Sequence, residues 1–89
     1  MAAYLVTYDL NANGQNYKCL DKALTELATH WRFQKSAWLV DWTGTAFDLA
    51  NQLQSCLDSN DILFVTRVTE DSAWCGYDEP GSAWIRALL

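Results

Sequence analysis

The chain has 89 residues, 51% of them hydrophobic, and a formal net charge of −5. This length is enough for one compact domain and too short for two, so we expect a single domain over residues 1–89. No run approaches the roughly 18 apolar residues of a membrane-spanning helix, and residues 1–4 lack a signal-peptide layout. We therefore expect a cytoplasmic protein that does not enter the membrane.

The charge balance bears on the partners that the chain can bind. Eleven acidic residues stand against six basic ones, whereas binding to a nucleic-acid backbone normally draws on a surplus of Lys and Arg. Nucleic acid is thus not favoured as a partner, although a local basic patch stays open as an alternative. The candidates for that patch are Lys18, Lys22, Arg32, Lys35, Arg67 and Arg86.

The first half of the chain predicts a strand, a helix and a strand pair. Residues 3–10 are rich in Tyr, Val and Leu and precede a turn-forming stretch at 11–14, which indicates a strand and a loop. From residue 16 to about residue 30, apolar side chains recur at helical spacing and predict an amphipathic helix. Residues 30–34 and 36–42 then predict two strands in a tight hairpin or bulged ribbon, separated at Lys35.

The second half predicts a helix, a strand and a less regular tail. Thr45 is a suitable N-cap for a helix that ends before Asp58, and residues 61–68 predict a central strand. In the tail, residues 73–75 are compatible with a short strand and residues 76–81 with a loop. Residues 82–89 are compatible with one or two helical turns.

This order of elements is typical of the ferredoxin-like α+β fold. That fold is a βαββαβ antiparallel sheet with two helices on one face, here with a short extra C-terminal strand or helix. Tyr4, Leu5 and Val6 are apolar in succession, and successive strand residues point to opposite faces. Both faces of the sheet should then be apolar. We therefore expect a homodimer that pairs through the face left bare by the helices.

The three cysteines form no recognisable framework. Cys19, Cys56 and Cys75 are odd in number and lack a CxxC spacing, which supports neither a set of disulfides nor a zinc site. We interpret all three as reduced thiols, with buried packing as their expected role.

Several short motifs resemble known prokaryotic families. The strand end Tyr8-Asp9-Leu10, the segment 34–38 (QKSAW) and the acidic turn and strand of 58–68 resemble the CRISPR-associated protein two family. That family has a Tyr-Asp strand end and a Gln-x-Ser-x-aromatic strand. The chain is also similar to the short proteins of the SinR-like family, through residues 8–10, 14–17, 36–40, 61–65 and 73–76. Both resemblances imply a ferredoxin-like fold and a role in a defence-related context.

The resemblance also implies a catalytic site. In the CRISPR-associated family, the strand-end aspartate of two protomers meets near the dimer axis and takes part in metal-dependent cleavage of nucleic acid. Carried over, this residue is Asp9, which would hold Mg²⁺, with Ser36 and Lys18 as helpers. A structural interpretation stands beside it, because a strand-end Asp and a hairpin Ser often bind backbone groups.

Two functions therefore remain open. The first is a homodimeric Mg²⁺-dependent endoribonuclease or endonuclease that uses Asp9, Ser36 and Lys18. The second, which the charge favours, is an acidic interaction module for a protein partner, such as an inhibitor, an antitoxin-like factor or an assembly factor. No Lys or Arg occurs between Asp9 and Lys18, which also favours the second function.

Overall fold

The computed structural model describes residues 2–10, 17–27, 30–34, 36–77 and 79–88. In these ranges none of the helices has the length and hydrophobicity to cross a membrane. The predicted turn at 11–14 and the predicted break at Lys35 lie outside the described residues. The elements are β1 (Ala2–Asp9), α1 (Tyr17–Thr25), β2 (His30–Gln34), β3 (Ala37–Trp42), α2 (Ala46–Leu53), a 3₁₀ turn (Gln54–Cys56), β4 (Ile62–Arg67) and α3 (Glu79–Leu88).

The strands form one antiparallel sheet in the order β2-β3-β1-β4. β1 lies in the middle and pairs with β3 on one side and with β4 on the other. The register between β2 and β3 shifts between Arg32 and Gln34, as expected for a bulged ribbon. A four-stranded antiparallel sheet with three helices makes this a small α+β protein, compatible with the predicted fold class.

One face of the sheet, which we call the helix face, carries the core. Alternate residues of β1 and β3 point to this face and pack against the leucines of α1 and α2. Leu20 and Leu24 of α1 and Leu49 and Leu53 of α2 are fully buried there. The prediction that two helices cover one face is confirmed. The other members of this cluster are Tyr4, Val6, Tyr8, Leu10, Trp38, Val40 and Cys56.

The start of α2 is fixed by its cap and by the turn before it. Thr45 is the N-cap, as predicted, and its side chain accepts a hydrogen bond from the Asp48 backbone N–H at 3.1 Å. The Trp42 indole N–H donates to the Thr45 carbonyl at 3.1 Å, and the Tyr4 hydroxyl donates to the Gly44 carbonyl at 2.9 Å. A Cβ on Gly44 would meet Trp42 Nε1 at 2.8 Å, which explains the glycine. These bonds tie the turn between β3 and α2 to β1.

The opposite face, which we call the second face, is not bare, and the sequence-based expectation was wrong on this point. The segment after β4 and α3 lie over β1, β3 and β2 on that side. Trp31 of β2 packs against Tyr77 and Trp84, with ring centroids 5.1 Å and 5.9 Å apart. Leu39 of β3 is consequently buried. The aromatic residues of the tail thus satisfy part of the apolar surface that we assigned to a second copy.

The tail itself differs from its prediction. No strand forms over residues 73–75, and α3 begins at Glu79, inside the stretch predicted as a loop. Pro80 lies in the first turn of α3. Backbone N–H groups of a first turn have no acceptor within the helix, so a proline there costs no helical hydrogen bond. Proline therefore marked the start of a helix here and not a loop.

β4 lies at the edge of the sheet, whereas its sequence predicted a central strand. Its residues alternate between partly buried and exposed up to Phe64, as expected for a strand with only one covered face. The continuous apolar run of 62–65 misled the prediction, because such a run is typical of strands that are covered on both faces.

The interpretation of the three cysteines as reduced, buried thiols was wrong for the pair Cys19 and Cys56 and, as to burial, for Cys75. Cys19 of α1 and Cys56 of the 3₁₀ turn form a disulfide with a Cα–Cα distance of 5.5 Å, and Cys75 is the free thiol. Both bonded residues lie on elements that cover the helix face, so the fold brings together two cysteines that are 37 positions apart. Spacing along the chain carries no signal of such a contact.

Candidate functional site

The most conspicuous surface feature is a pair of exposed apolar side chains on β4. Ile62 and Phe64 are 59% and 60% exposed, while the intervening Leu63 packs against the core. We call this pair the β4 strip. It lies on the second face, on the side that α3 and the preceding segment leave uncovered. Large apolar side chains grouped on an edge strand are typical of a surface that contacts another chain.

The surroundings of the β4 strip are acidic at one end. Asp9 faces Ile62 across the β1–β4 register, and Thr7 faces Phe64. Just before β4, the Asp58 backbone N–H donates to the Asp61 carboxylate at 2.8 Å and closes the turn that starts the strand. The apolar strip therefore ends beside the carboxylates of Asp9 and Asp61.

The structure brings two of the three predicted site residues to one end of the sheet. Asp9 is the last residue of β1 and is exposed. Ser36 precedes β3, and its carbonyl accepts a hydrogen bond from the Tyr8 N–H at 3.1 Å. Ser36 thus lies opposite Tyr8, the residue before Asp9, at the same end of the sheet. The backbone carbonyl of Ser36 is committed to the sheet, as the structural interpretation of this serine expects.

Lys18 lies in a different layer. It is exposed in the first turn of α1, a helix that packs on the helix face through Leu20 and Leu24. Asp9 has the strand parity of Ala3, Leu5 and Thr7, which places it on the second face. The backbone therefore places Lys18 and Asp9 on opposite sides of the sheet.

The described part of a single chain offers few ligands for a divalent metal. In the described ranges, no three residues among His, Cys, Asp and Glu are grouped as a metal site would require. Asp9 offers one carboxylate, and the nearby Asp61 carboxylate already accepts the Asp58 N–H. The two-carboxylate Mg²⁺ site that the family resemblance implies would take Asp9 from each of two copies.

The described basic residues do not share one element. Arg32 lies 3.6 Å from Asp21 and 5.8 Å from the centre of the Trp38 ring, and Arg86 forms an ion pair with Glu79. Arg67 ends β4, while Lys18 and Lys22 lie on α1. The candidate Lys35 lies outside the described residues. Two of the arginines already face carboxylates, which weakens the case for a patch that holds phosphates.

The tryptophans serve packing rather than an open stacking platform. Trp38 is buried, and its N–H donates to the Tyr8 hydroxyl at 3.1 Å. Trp31 and Trp84 pack against each other, and the Trp74 N–H donates to the Ser82 hydroxyl at 3.0 Å. The sequence analysis did not predict that Trp31, Trp74 and Trp84 hold α3 in place. The signal available for it was the density of aromatic residues at 74, 77 and 84.

This chain matches no protein-family model and no solved structure. The functional argument therefore depends on the β4 strip and its acidic surroundings.

Proposed function

We propose that this chain is a ferredoxin-like protein-interaction module that forms a homodimer along β4. The observation that carries the proposal is the β4 strip, two large apolar side chains about 60% exposed on an edge strand. Burying apolar area contributes about 25 cal/mol per Å², so covering both side chains in two copies is a substantial driving force. A two-fold axis beside β4 would pair each strip with the same strip of the partner.

The order of the elements supports the ferredoxin-like part of the proposal. The described chain runs β1, α1, β2, β3, α2, β4, with α3 as an addition, and the sheet order is β2-β3-β1-β4. In this arrangement, the second face is the natural place for contacts with other chains, because α1 and α2 occupy the helix face. Because α3 covers part of the second face, we place the contact between the two copies at β4.

The charge indicates the kind of partner that the dimer would bind. Each chain carries a net charge of −5, so a dimer carries −10. Such a surface favours a basic protein and repels nucleic acid. We propose that the dimer acts on a basic nucleic-acid-handling protein as an inhibitor, an antitoxin-like factor or an assembly factor, in a prokaryotic or phage defence context. The resemblance to the CRISPR-associated and SinR-like families supports that context.

The dimer is tested by light scattering at micromolar concentration. We expect the wild type to show about twice the mass of the 10.1 kDa chain. The variant Ile62→Thr/Phe64→Thr should show the mass of one chain, because threonine keeps the strand propensity and removes the apolar area. Added salt should tighten the wild-type dimer, since it screens the repulsion between two acidic chains.

Phe47 offers a matched control. It is 72% exposed on α2, which covers the helix face and not the second face, so Phe47→Ala removes a comparable apolar side chain from the other side of the sheet. We expect this variant to stay dimeric. A monomeric wild type, or a Phe47→Ala variant that dissociates while the β4 variant does not, would refute the proposed interface.

A second candidate function, metal-dependent cleavage of RNA or DNA, has one observation in its favour. Asp9 faces Ile62 across the β1–β4 register and is exposed, so a dimer along β4 would carry one such carboxylate beside the contact in each copy. Two carboxylates would be able to hold Mg²⁺, which activates a water and stabilises a phosphate oxygen. Ser36 lies at the same end of the sheet, whereas Lys18 lies in the helix layer.

The nuclease candidate is tested by comparing wild type with Asp9→Asn in Mg²⁺ or Mn²⁺. We expect weak or no cleavage of RNA or DNA, because few cations are available to balance the substrate charge. Robust turnover by the wild type that disappears in Asp9→Asn would favour the nuclease over the interaction module. Equal residual activity in both proteins would instead indicate a contaminating nuclease.

A further inference from the structure

The second face carries an open cavity that neither Ile62 nor Phe64 lines. It lies between the sheet and the segment that connects β4 to α3, and its volume is about 370 Å³. Leu5, Leu39 and Val68 form one wall, and Trp74, Tyr77 and Ile85 form the other. We call it the C-terminal cavity. Its volume falls within the range of small-molecule sites, about 300–1,000 Å³.

The walls of the C-terminal cavity determine the chemistry of a ligand. Among the described residues that line it, none is charged. Two polar groups of the lining are already bonded within the protein. The Ser72 hydroxyl donates to the Thr69 carbonyl at 2.5 Å, and the Trp74 N–H donates to Ser82 at 3.0 Å. A charged ligand would lose its hydration here without gaining an ion pair, whereas an apolar one would not.

We propose that the C-terminal cavity binds a small, uncharged, apolar molecule. Aromatic walls from Trp74 and Tyr77 suit a planar or aliphatic compound that packs against rings. The site is independent of the β4 strip, because neither Ile62 nor Phe64 lines it.

Binding is measured with the uncharged fluorophore N-phenyl-1-naphthylamine. We expect saturable binding of one molecule per chain. Cys75 provides a second readout, because it lines the cavity, is exposed and is the free thiol. The bound probe should slow alkylation of Cys75 by iodoacetamide. Cys19 and Cys56 do not interfere, since they are joined in the disulfide.

Three variants locate the probe. Ala73 lines the cavity and is exposed, so Ala73→Phe should fill the mouth without repacking the core and weaken binding at least about tenfold, equivalent to 1.4 kcal/mol. Ala83→Phe adds the same ring to an exposed alanine of α3 that does not line the cavity, and should bind as the wild type does. Ile62→Thr/Phe64→Thr should also keep its affinity.

Three results would overturn the proposal. They are the absence of saturable binding, an unchanged affinity in Ala73→Phe, and loss of binding in the β4 variant alone, which would place the probe on the β4 strip. None of them depends on whether the protein forms a dimer.

Discussion

At the scale of single residues, the stability of this protein depends on leucines that are completely enclosed. Leu24 of α1 is 0% exposed and belongs to the cluster on the helix face. Leu24→Ala should lower the free energy of unfolding by ~2–5 kcal/mol, from lost apolar burial and the cavity left behind. Urea denaturation of both proteins measures this difference.

Lys22 on the same helix is the control for helix propensity. Its side chain is exposed, so Lys22→Ala should change stability by less than about 0.5 kcal/mol. A loss of less than about 1 kcal/mol in Leu24→Ala would show that the face of α1 assigned as buried is the wrong one.

Residues with a local signature were the most predictable from the sequence. Thr45 was assigned as a cap because a hydroxyl before an amphipathic run is a chemical feature of adjacent positions, and the structure confirms it. The buried leucines of α1 and α2 follow from helical spacing alone. The Cys19–Cys56 bond could not be predicted in this way, because the two cysteines meet only after both helices have packed on the sheet.

At the scale of elements, this disulfide joins α1 to the turn that ends α2. It closes a long loop, whose ends are 37 positions apart in the sequence, and so restricts the unfolded chain. Cys19→Ala/Cys56→Ala should therefore lower the free energy of unfolding by ~2–4 kcal/mol. Denaturation in the absence of reductant measures the loss.

The free cysteine supplies the matched control for this measurement. Cys75→Ala removes an exposed thiol and should leave stability within about 0.5 kcal/mol of the wild type. Thiol titration of the denatured, unreduced wild type should find one reactive cysteine, and three after reduction. Three reactive thiols before reduction would show that the bond does not form.

The elements that the sequence mispredicted are those whose surroundings come from distant parts of the chain. β4 has the composition of a central strand, yet its place at the edge depends on which side of β1 it joins. α3 begins with Glu79-Pro80-Gly81, a stretch typical of a loop, and is held on the second face by contacts of Trp84 with Trp31. Local propensity depends on residues close in sequence and therefore predicts neither arrangement.

At the scale of the whole molecule, two surfaces of the second face have different roles in this account. α3 covers β2 and β3, the segment before α3 borders the C-terminal cavity, and the second face of β4 stays uncovered. The apolar run at 4–6 was a correct indication that something must cover the second face. It did not indicate that the chain's own tail covers part of it.

The central claim is that two copies meet along β4, and amide hydrogen exchange at two protein concentrations tests it most directly. The sheet has two edges, β4 and β2, so the β2 amides at 30–34 serve as an internal control. We expect the amides of 62–67 to exchange more slowly at the concentration that favours the dimer, because the contact covers that edge, and those of β2 to stay unchanged. Protection that appears at β2 and not at β4, or exchange at β4 that does not depend on concentration, would contradict the account.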